Sequence, residues 1–404
     1  MAVDDLWYLK KRDPKTKKKL PSKRHGRGMR WRVRYIDPSG EPKTQLCEKK
    51  SEADDLDAEM RSDVLRGTYL DQELSKKTVK EFGTEWHAAR VFKRQNTEDA
   101  TERGLRLHVY PTLGKYKLHE MRRTRIQEWI KGLDHLAPGT VHNLYSYVSM
   151  LFESAVLDKA IGSSPCVKID LPEIKYDDRV ILRADQVHGL AKAMFEKLRA
   201  SIYVGSGCGT RFGETMGLEL EHVDFLHREI TVSQQVIRHR GKGLVLGPLK
   251  TTSSYRTVEM PAATMKALAA HIKKFPPREI EVMDMTDPRK PHVRTAKMIF
   301  PSTTGKLMSG TVYGFHWKKA AKAAGLPEDS HFHLLRHYFA TTLIFGGANV
   351  KTVQLALGHS KPSITLDTYT GLWPDDTQER TRHLMDAGFA GVINPRGEIT
   401  AKAS

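Results

Sequence analysis

The segment His331-Phe332-His333-Leu334-Leu335-Arg336-His337-Tyr338-Phe339-Ala340-Thr341, continued by Leu357-Gly358-His359-Ser360 and closed by Thr368-Tyr369, governs the reading of the whole chain. His333 and Arg336 are three residues apart, so on a helix they share a face. Leu335, Tyr338, Phe339, Thr342 and Leu343 make the opposite, apolar stripe. Gly346-Gly347 stops this helix. Asn349 is expected to N-cap a second helix, Val350 to Leu357, which Gly358 ends. The product is a packed scaffold carrying His333, Arg336, His359 and Tyr369. Imidazoles, a guanidinium and a phenol suit work on a phosphate better than on a carbonyl or a sugar.

Bulk properties agree with a polyanionic partner. The chain has 404 residues and a net charge of +18, with a pI near 9.6. The length predicts two or three domains, and the charge predicts nucleic acid or an anionic membrane surface as partner. No apolar run reaches the roughly 18 residues a membrane span needs. The N-terminus lacks the basic and apolar regions of a signal peptide. Cys47, Cys166 and Cys208 are far apart and odd in number. They suggest neither a disulfide framework nor a zinc set, as expected for a reducing cytoplasm.

Outward from the opening segment, the fold class expected is multidomain α+β. Residues 10–34 carry thirteen positive charges against Asp13 alone. Trp31-Arg32-Val33-Arg34-Tyr35 alternates as a half-buried strand. Asp37-Pro38-Ser39-Gly40 is turn chemistry, Lys43 to Cys47 a returning strand, Leu6 to Leu9 an earlier one. Ser51 to about Arg66 should be a helix with a capping-box-like start. A small three-stranded sheet backed by one helix, with Lys17, Lys18, Lys19, Arg24, Arg27, Arg30, Arg32 and Arg34 turned to DNA, follows for residues 1–70. Residues 70–77 are expected as a polar linker, and 76–172 as an all-helical domain cored by stripes such as Ile126, Trp129, Ile130 and Leu133. A second linker, Pro172 to Arg179, leads to a mixed, mostly α domain over 178–404.

In that last part, Gly205-Ser206-Gly207-Cys208-Gly209 lacks the Gly-Lys-Ser/Thr of a nucleotide loop. A helix, a tight turn and a helix from near Arg211 are expected instead. Strands are expected over Val223–Phe225 and Glu229–Val236, with a hairpin turn at Gly241-Lys242-Gly243. A second hairpin is expected over Pro248–Val258, with Lys250 near its start. The remainder reads as helical around a loop at Pro288 to Lys297. If the substrate is a phosphodiester, Arg211 and Arg336 can clamp its oxygens. Tyr369 can be the nucleophile; its free pKa is ~10, so it needs a helper, and His333 is a natural one. Lys250 can protonate the leaving alkoxide, and His359 can hydrogen-bond the phosphate. His333 and His337 could be metal ligands, but Leu334 stands where His-Glu-x-x-His has its glutamate. The chemistry expected here uses no metal and no cofactor.

Five motifs, in order and spacing, resemble those of the tyrosine recombinase (phage integrase) family. They are Gly209-Thr210-Arg211-Phe212-Gly213-Glu214, Lys250 in Lys-Thr-Thr-Ser-Ser-Tyr-Arg-Thr-Val, His333-Leu-Leu-Arg336-His337, Leu357-Gly358-His359-Ser360 and Tyr369. Ile364 to Tyr369 is similar to integrases of the actinobacterial type. The resemblance implies an arm-type-site DNA-binding domain over 1–70, a core-site-binding domain over 76–172 and a catalytic domain with a C-terminal tail over 178–404. It implies Arg211 and Arg336 as phosphate clamp, Lys250 as general acid and His333 as general base. It further implies His359 as phosphate contact, Tyr369 as the nucleophile of a 3′-phosphotyrosyl link and Glu214 as support for the first arginine. Cys208 and Thr210 depart from the family's usual Thr and Leu or Met, and Thr370-Gly371 replaces a common histidine. The expected activity is integration and excision of a phage or mobile element by a homotetramer on double-stranded DNA, in a bacterial cytoplasm. An excisionase and a DNA-bending host factor are the expected helpers, with no membrane involved. The amphipathic-looking Thr377 to Ala387 would dock on a neighbouring protomer. The rival readings are a chromosome-dimer resolvase, a topoisomerase-like enzyme and a non-catalytic DNA-binding regulator.

Overall fold

The computed structural model describes residues 2–37, 40–174 and 180–369, with Leu372, 381–382 and 385–388. Much of the expected tail helix and part of the second linker lie outside the described residues. The chain divides into two compact units, Met1–Tyr176 and Asp177–Ser404.

In the first unit, the strands are β1 (Ala2–Asp5), β2 (Tyr8–Arg12), β3 (Lys19–Pro21), β4 (Trp31–Ile36) and β5 (Pro42–Cys47), followed by helix α1 (Lys50–Arg66). The sheet order is β1-β4-β5, and β2 pairs with β3 in a separate ribbon. The third strand of the sheet is therefore Ala2–Asp5, not Leu6–Leu9. Two adjacent aspartates read poorly as a strand, yet β4 supplies their partners: Asp4 lies opposite Arg32 in register, and opposite charges across strands stabilise the pairing. Val33 and Tyr35 face inward, against Ala53 and Met60 of α1. Gly67 caps α1 in the left-handed region.

The expected linker instead holds a short helix, α2 (Gln72–Lys76), because the Asp71 carboxylate accepts from the Glu73 and Leu74 amides. The helical part comprises α3 (Val79–Ala89), α4 (Gln95–Gly104), α5 (Arg123–Lys131) and α6 (Pro138–Leu157). Thr78 and Glu81 form the capping box of α3, and Pro138 opens α6. Its core, which includes Phe82, Leu105, Ile126, Trp129, Leu144 and Phe152, is separate from that of the β-sheet.

The second unit begins with α7 (Ala184–Ala193), α8 (Arg199–Cys208) and α9 (Phe212–Met216). The strands β6 (Val223–Asp224), β7 (Glu229–Val232), β8 (Gln235–His239), β9 (Gly243–Gly247) and β10 (Arg256–Glu259) follow. After α10 (Ala262–Lys274) come β11 (Arg278–Asp284) and β12 (His292–Met298), then α11 (Gly310–Ala323), α12 (His333–Phe345), α13 (Val350–Leu357) and α14 (Pro362–Tyr369). The sheets run β10-β7-β6 and β12-β11-β9-β8. Three sequence expectations change here. Glu229–Val236 is broken at Ser233-Gln234 into two strands of different sheets. Pro248–Val258 is no hairpin but a crossover between the sheets, since β9 pairs with β8 and β10 with β7. The β11–β12 hairpin was hidden by charge: Glu279, Glu281 and Lys297 point outward, while Ile280, Val282, Ala296 and Met298 are buried.

A buried polar knot ties this hairpin down. Arg294 donates from Nη1 and Nη2 to the two oxygens of Glu219, at 3.0 and 2.6 Å, and from Nε to Asp284 at 2.5 Å. Burial raises the Glu219 and Asp284 carboxyls, but Arg294, together with Gln234 at Glu219 and Thr286 at Asp284, holds both below the usual carboxylate range. Replacing Arg294 by alanine leaves two buried carboxylates unpaired, at a cost of about 3–5 kcal/mol. Depressed carboxyls stabilise the fold above their unfolded pKa and lose that contribution as pH falls through the folded one. Urea midpoints of Arg294→Ala and wild type should therefore differ most near neutral pH and converge in acid.

Candidate active site

Two helix ends meet at Arg336. Helix α8 ends at Gly209, with φ 60°, and α13 ends at Gly358, with φ 65°; both conformations favour glycine. The last carbonyls of a helix have no partner within it, and these two helix ends turn theirs on one guanidinium. Arg336 donates from Nη1 to the Gly209 carbonyl at 2.7 Å and from Nη2 to the Leu357 carbonyl at 2.6 Å. It is 1% exposed, so it belongs to the buried face of α12. Close packing permits this: a Cβ at Gly209 would lie 2.3 Å from Phe339 Cδ1, and Gly205 abuts Phe332 and Leu335 in the same way. The glycine run thus serves helix packing.

Arg211 is the N-cap residue of α9, and its neighbour in that turn is Glu214. The Glu214 carboxylate accepts from the Arg211 amide at 3.0 Å and from Arg211 Nη1 at 2.7 Å. Glu214 is buried, while Arg211 keeps 28% of its side chain open. Arg256, the first residue of β10, donates to the second Glu214 oxygen at 3.0 Å. Burial raises the Glu214 carboxyl, but Arg256 first, then Arg211 and Arg336, hold it below its ordinary value. Burial, then Arg211, press against the charge of Arg336, but a guanidinium keeps its proton in proteins.

The other residues fall as follows. Tyr369 closes α14, and its ring is buried among Ala340, Ile344, Val353 and Leu357. Its hydroxyl lies 2.7 Å from His337 Nδ1. His333 stands one turn earlier, its ring perpendicular to that of His337 at 4.7 Å, and faces solvent. It is thus His337, not His333, that meets the phenol. His359 Nδ1 is 2.9 Å from Thr365 Oγ1. Burial, then Arg336, Arg211 and Arg256, push His359 down to about 4, so it is neutral at neutral pH. His333 shifts the same way, by partial burial and then by His337 and Arg336; water on its open face screens part of the effect. Lys250 lies on the exposed crossover after β9.

Arg211, Glu214, Arg336, His337, His359 and Tyr369 thus belong to one assembly, and Lys250 stands on a loop joined to it through Arg256. His337 could have been found four residues after His333 on the same helical face. Nothing in local spacing links Arg256 to Glu214. The one group of potential metal ligands among the described residues is Glu219, Glu221 and His222, where Glu219 is already held by Arg294.

The DNA-facing residues expected in the first unit divide into two sets. Arg30 pairs with Asp5, and Arg32 and Arg34 with Asp4. Lys17, Lys18, Lys19, Arg24 and Arg27 are exposed on the β2–β3 ribbon and the loop after it.

The second unit is thus a mixed α/β fold that brings two arginines, a carboxylate, histidines and a tyrosine together at converging helix ends. Residues 181–374 match the model of the phage integrase family. The integrase of Mycobacterium phage FRAT1 is 26% identical over 292 residues, which are 72% of this chain and 82% of that protein. A XerC-like tyrosine recombinase of Caldanaerobacter subterraneus is 28% identical over 265 residues, 61% of this chain and 66% of that one. The fold is similar to that of the Tn1549 transposon integrase in complex with a circular intermediate DNA, with a TM-score of 0.66 at 24% identity, covering 77% of this chain and 99% of that one. The chain is a tyrosine site-specific recombinase that carries a phage integrase family domain over residues 181–374.

Proposed function

We propose that the protein integrates and excises a phage or mobile element by cutting and rejoining double-stranded DNA through Tyr369. The observation that carries this reading is the Tyr369 hydroxyl held on His337 Nδ1 at 2.7 Å, beside the buried Arg336. With that nitrogen unprotonated, the hydroxyl donates to it, and His337 takes the proton as the phenol attacks. The new bond joins the tyrosine oxygen to phosphorus; the bond to the 5′ oxygen breaks, and Lys250 protonates that oxygen as it leaves. Arg211 and Arg336 stabilise the pentavalent phosphorus, with His333 and His359 as hydrogen-bonding partners of its oxygens. The 3′-phosphotyrosyl ester keeps the energy of the broken bond, so a 5′ hydroxyl can rejoin the strand without ATP.

Residues 1–70 serve as an arm-type-site domain and 76–172 as a core-site-binding domain. The two separate hydrophobic cores of the first unit support that division. Phosphate contacts fall first to Lys17, Lys18, Lys19, Arg24 and Arg27; Arg32 and Arg34 must exchange Asp4 for DNA. Four protomers act together on core-type and arm-type sites in the bacterial cytoplasm, with an excisionase and a DNA-bending host factor as accessory partners. A chromosome-dimer resolvase is less well supported, because the basic N-terminal ribbon has no use in it.

A nicked duplex carrying the attachment site, incubated with EDTA and without ATP, should trap a covalent protein–DNA adduct, and Tyr369→Phe should abolish it. Absence of adduct with wild type, or its persistence in the variant, would overturn the reading. His337→Ala should slow adduct formation by roughly 10²–10⁴-fold, the usual worth of a proton acceptor, whereas a larger loss in His333→Ala would return that role to His333. Deletion of residues 1–70 should reduce integration while sparing core-site cleavage. Unimpaired integration by the deleted protein would refute the arm-domain assignment.

A further inference from the structure

Arg256 is placed where four parts of the site meet, and the recombination chemistry above gives it no role. Its side chain is 7% exposed and its donors are turned on the protein. Each of its three nitrogens is used. Nη2 donates to Glu214 Oε2 at 3.0 Å, in the α9 turn that carries Arg211. Nε donates to the Ala356 carbonyl at 3.1 Å, next to the Leu357 carbonyl that holds Arg336. Nη1 donates to the Ser254 carbonyl at 3.0 Å, in the crossover that carries Lys250. The crossover is pressed onto the end of α13 at the same point: a Cβ on Gly358 would fall 2.8 Å from the Ser253 carbonyl and 3.2 Å from Arg256 Cδ.

We propose that Arg256 is a positioning residue for strand cleavage, aligning Glu214 behind Arg211 and fastening the Lys250 loop to the helix end that holds Arg336. The idea rests on the phosphotyrosyl reading above. The planar fork serves these three acceptors from three separate nitrogens at fixed angles, whereas an ammonium would have to serve them from a single point. With Glu214 braced by Arg256, Arg211 has one N–H edge committed to the carboxylate and the rest turned outward. The charged groups facing Glu214 are Arg211 from its own turn, Arg256 from β10 and Arg336 from α12. Arg256 is the largest of these influences, so without it burial carries the Glu214 carboxyl upward toward protonation. A protonated Glu214 no longer aligns Arg211 as an ion pair.

The test uses the full-length protein with Arg256→Gln and Arg256→Lys. The attachment-site Kd and the adduct-forming rate at saturating DNA are both measured across pH. In Arg256→Gln the rate should fall about 10²-fold, as for loss of one preorganised oxyanion contact, with Kd within about threefold of wild type. The acid limb of its rate profile should move to higher pH. Arg256→Lys should keep the limb near the wild-type position while remaining slow, since it retains the charge but not the fork. On a Glu214→Gln background, Arg256→Gln should add little further loss. An unshifted acid limb, a rate loss matched by lost DNA affinity, or full additivity with Glu214→Gln would each overturn the proposal. If Arg256→Gln does not fold, Arg256→Lys decides: a wild-type rate refutes the role, and a slow rate at wild-type Kd supports it. If wild type itself forms no adduct, it is the phosphotyrosyl reading that fails; an Arg256→Gln variant as fast as wild type removes only the present proposal.

Discussion

The second unit depends on keeping a guanidinium charged inside protein. A buried cation is costly unless its donors are met, and Arg336 is met by the terminal carbonyls of two helices rather than by a carboxylate of its own. The partial negative charge at a helix C-terminus makes this a sound partner, and it leaves the site electrostatically unbalanced. Three guanidiniums, Arg211, Arg256 and Arg336, surround the single carboxylate Glu214, while His359 stays neutral. The surplus of two positive charges suits a phosphorus centre that gains negative charge as it becomes pentavalent. In the proposed reaction, that charge is built into the fold before DNA arrives.

The same economy explains why so many glycines and caps crowd here. Gly209 and Gly358 end helices in a conformation that other residues adopt only with strain, and each also lets a neighbouring segment approach more closely than a Cβ would allow. Asn349, whose side chain accepts from the Thr352 amide at 2.8 Å, starts the helix whose last carbonyl holds Arg336. Cap, helix and carbonyl form a chain of causes from local sequence to the position of one charge.

In the first unit, ion pairs play the opposite part. Asp4 and Asp5 neutralise the arginines of the sheet and so allow β1 to pair with β4. The uncompensated charge is displaced onto the β2–β3 ribbon and the loop that follows. Strand pairing and charge display, which the sequence presents as one basic stretch, are separate functions of adjacent residues.

Much of this protein was legible in order along the chain. Helix caps at Asn349 and Gly358, the α9 turn at Arg211 and the hairpin at Gly241-Lys242-Gly243 depend on residues within a few positions of one another, so local chemistry decided them. The motifs carrying Arg211, Arg336, His359 and Tyr369 were legible for the same reason: each is a short run whose spacing matches a helix or a turn. What the sequence could not decide were matters of long-range pairing. Whether Ala2–Asp5 joins the sheet depends on arginines about 28 residues away in register, and β-pairing energies are set by cross-strand neighbours, not by propensity alone. Whether Pro248–Val258 closes a hairpin or crosses between sheets depends on which strands lie free to pair. That His337 rather than His333 meets the phenol, and that Arg256 joins Glu214 to the end of α13, required α8, α9, β10, α12 and α13 to be packed together. A side chain's chemistry is local, but its partner is chosen by the tertiary fold.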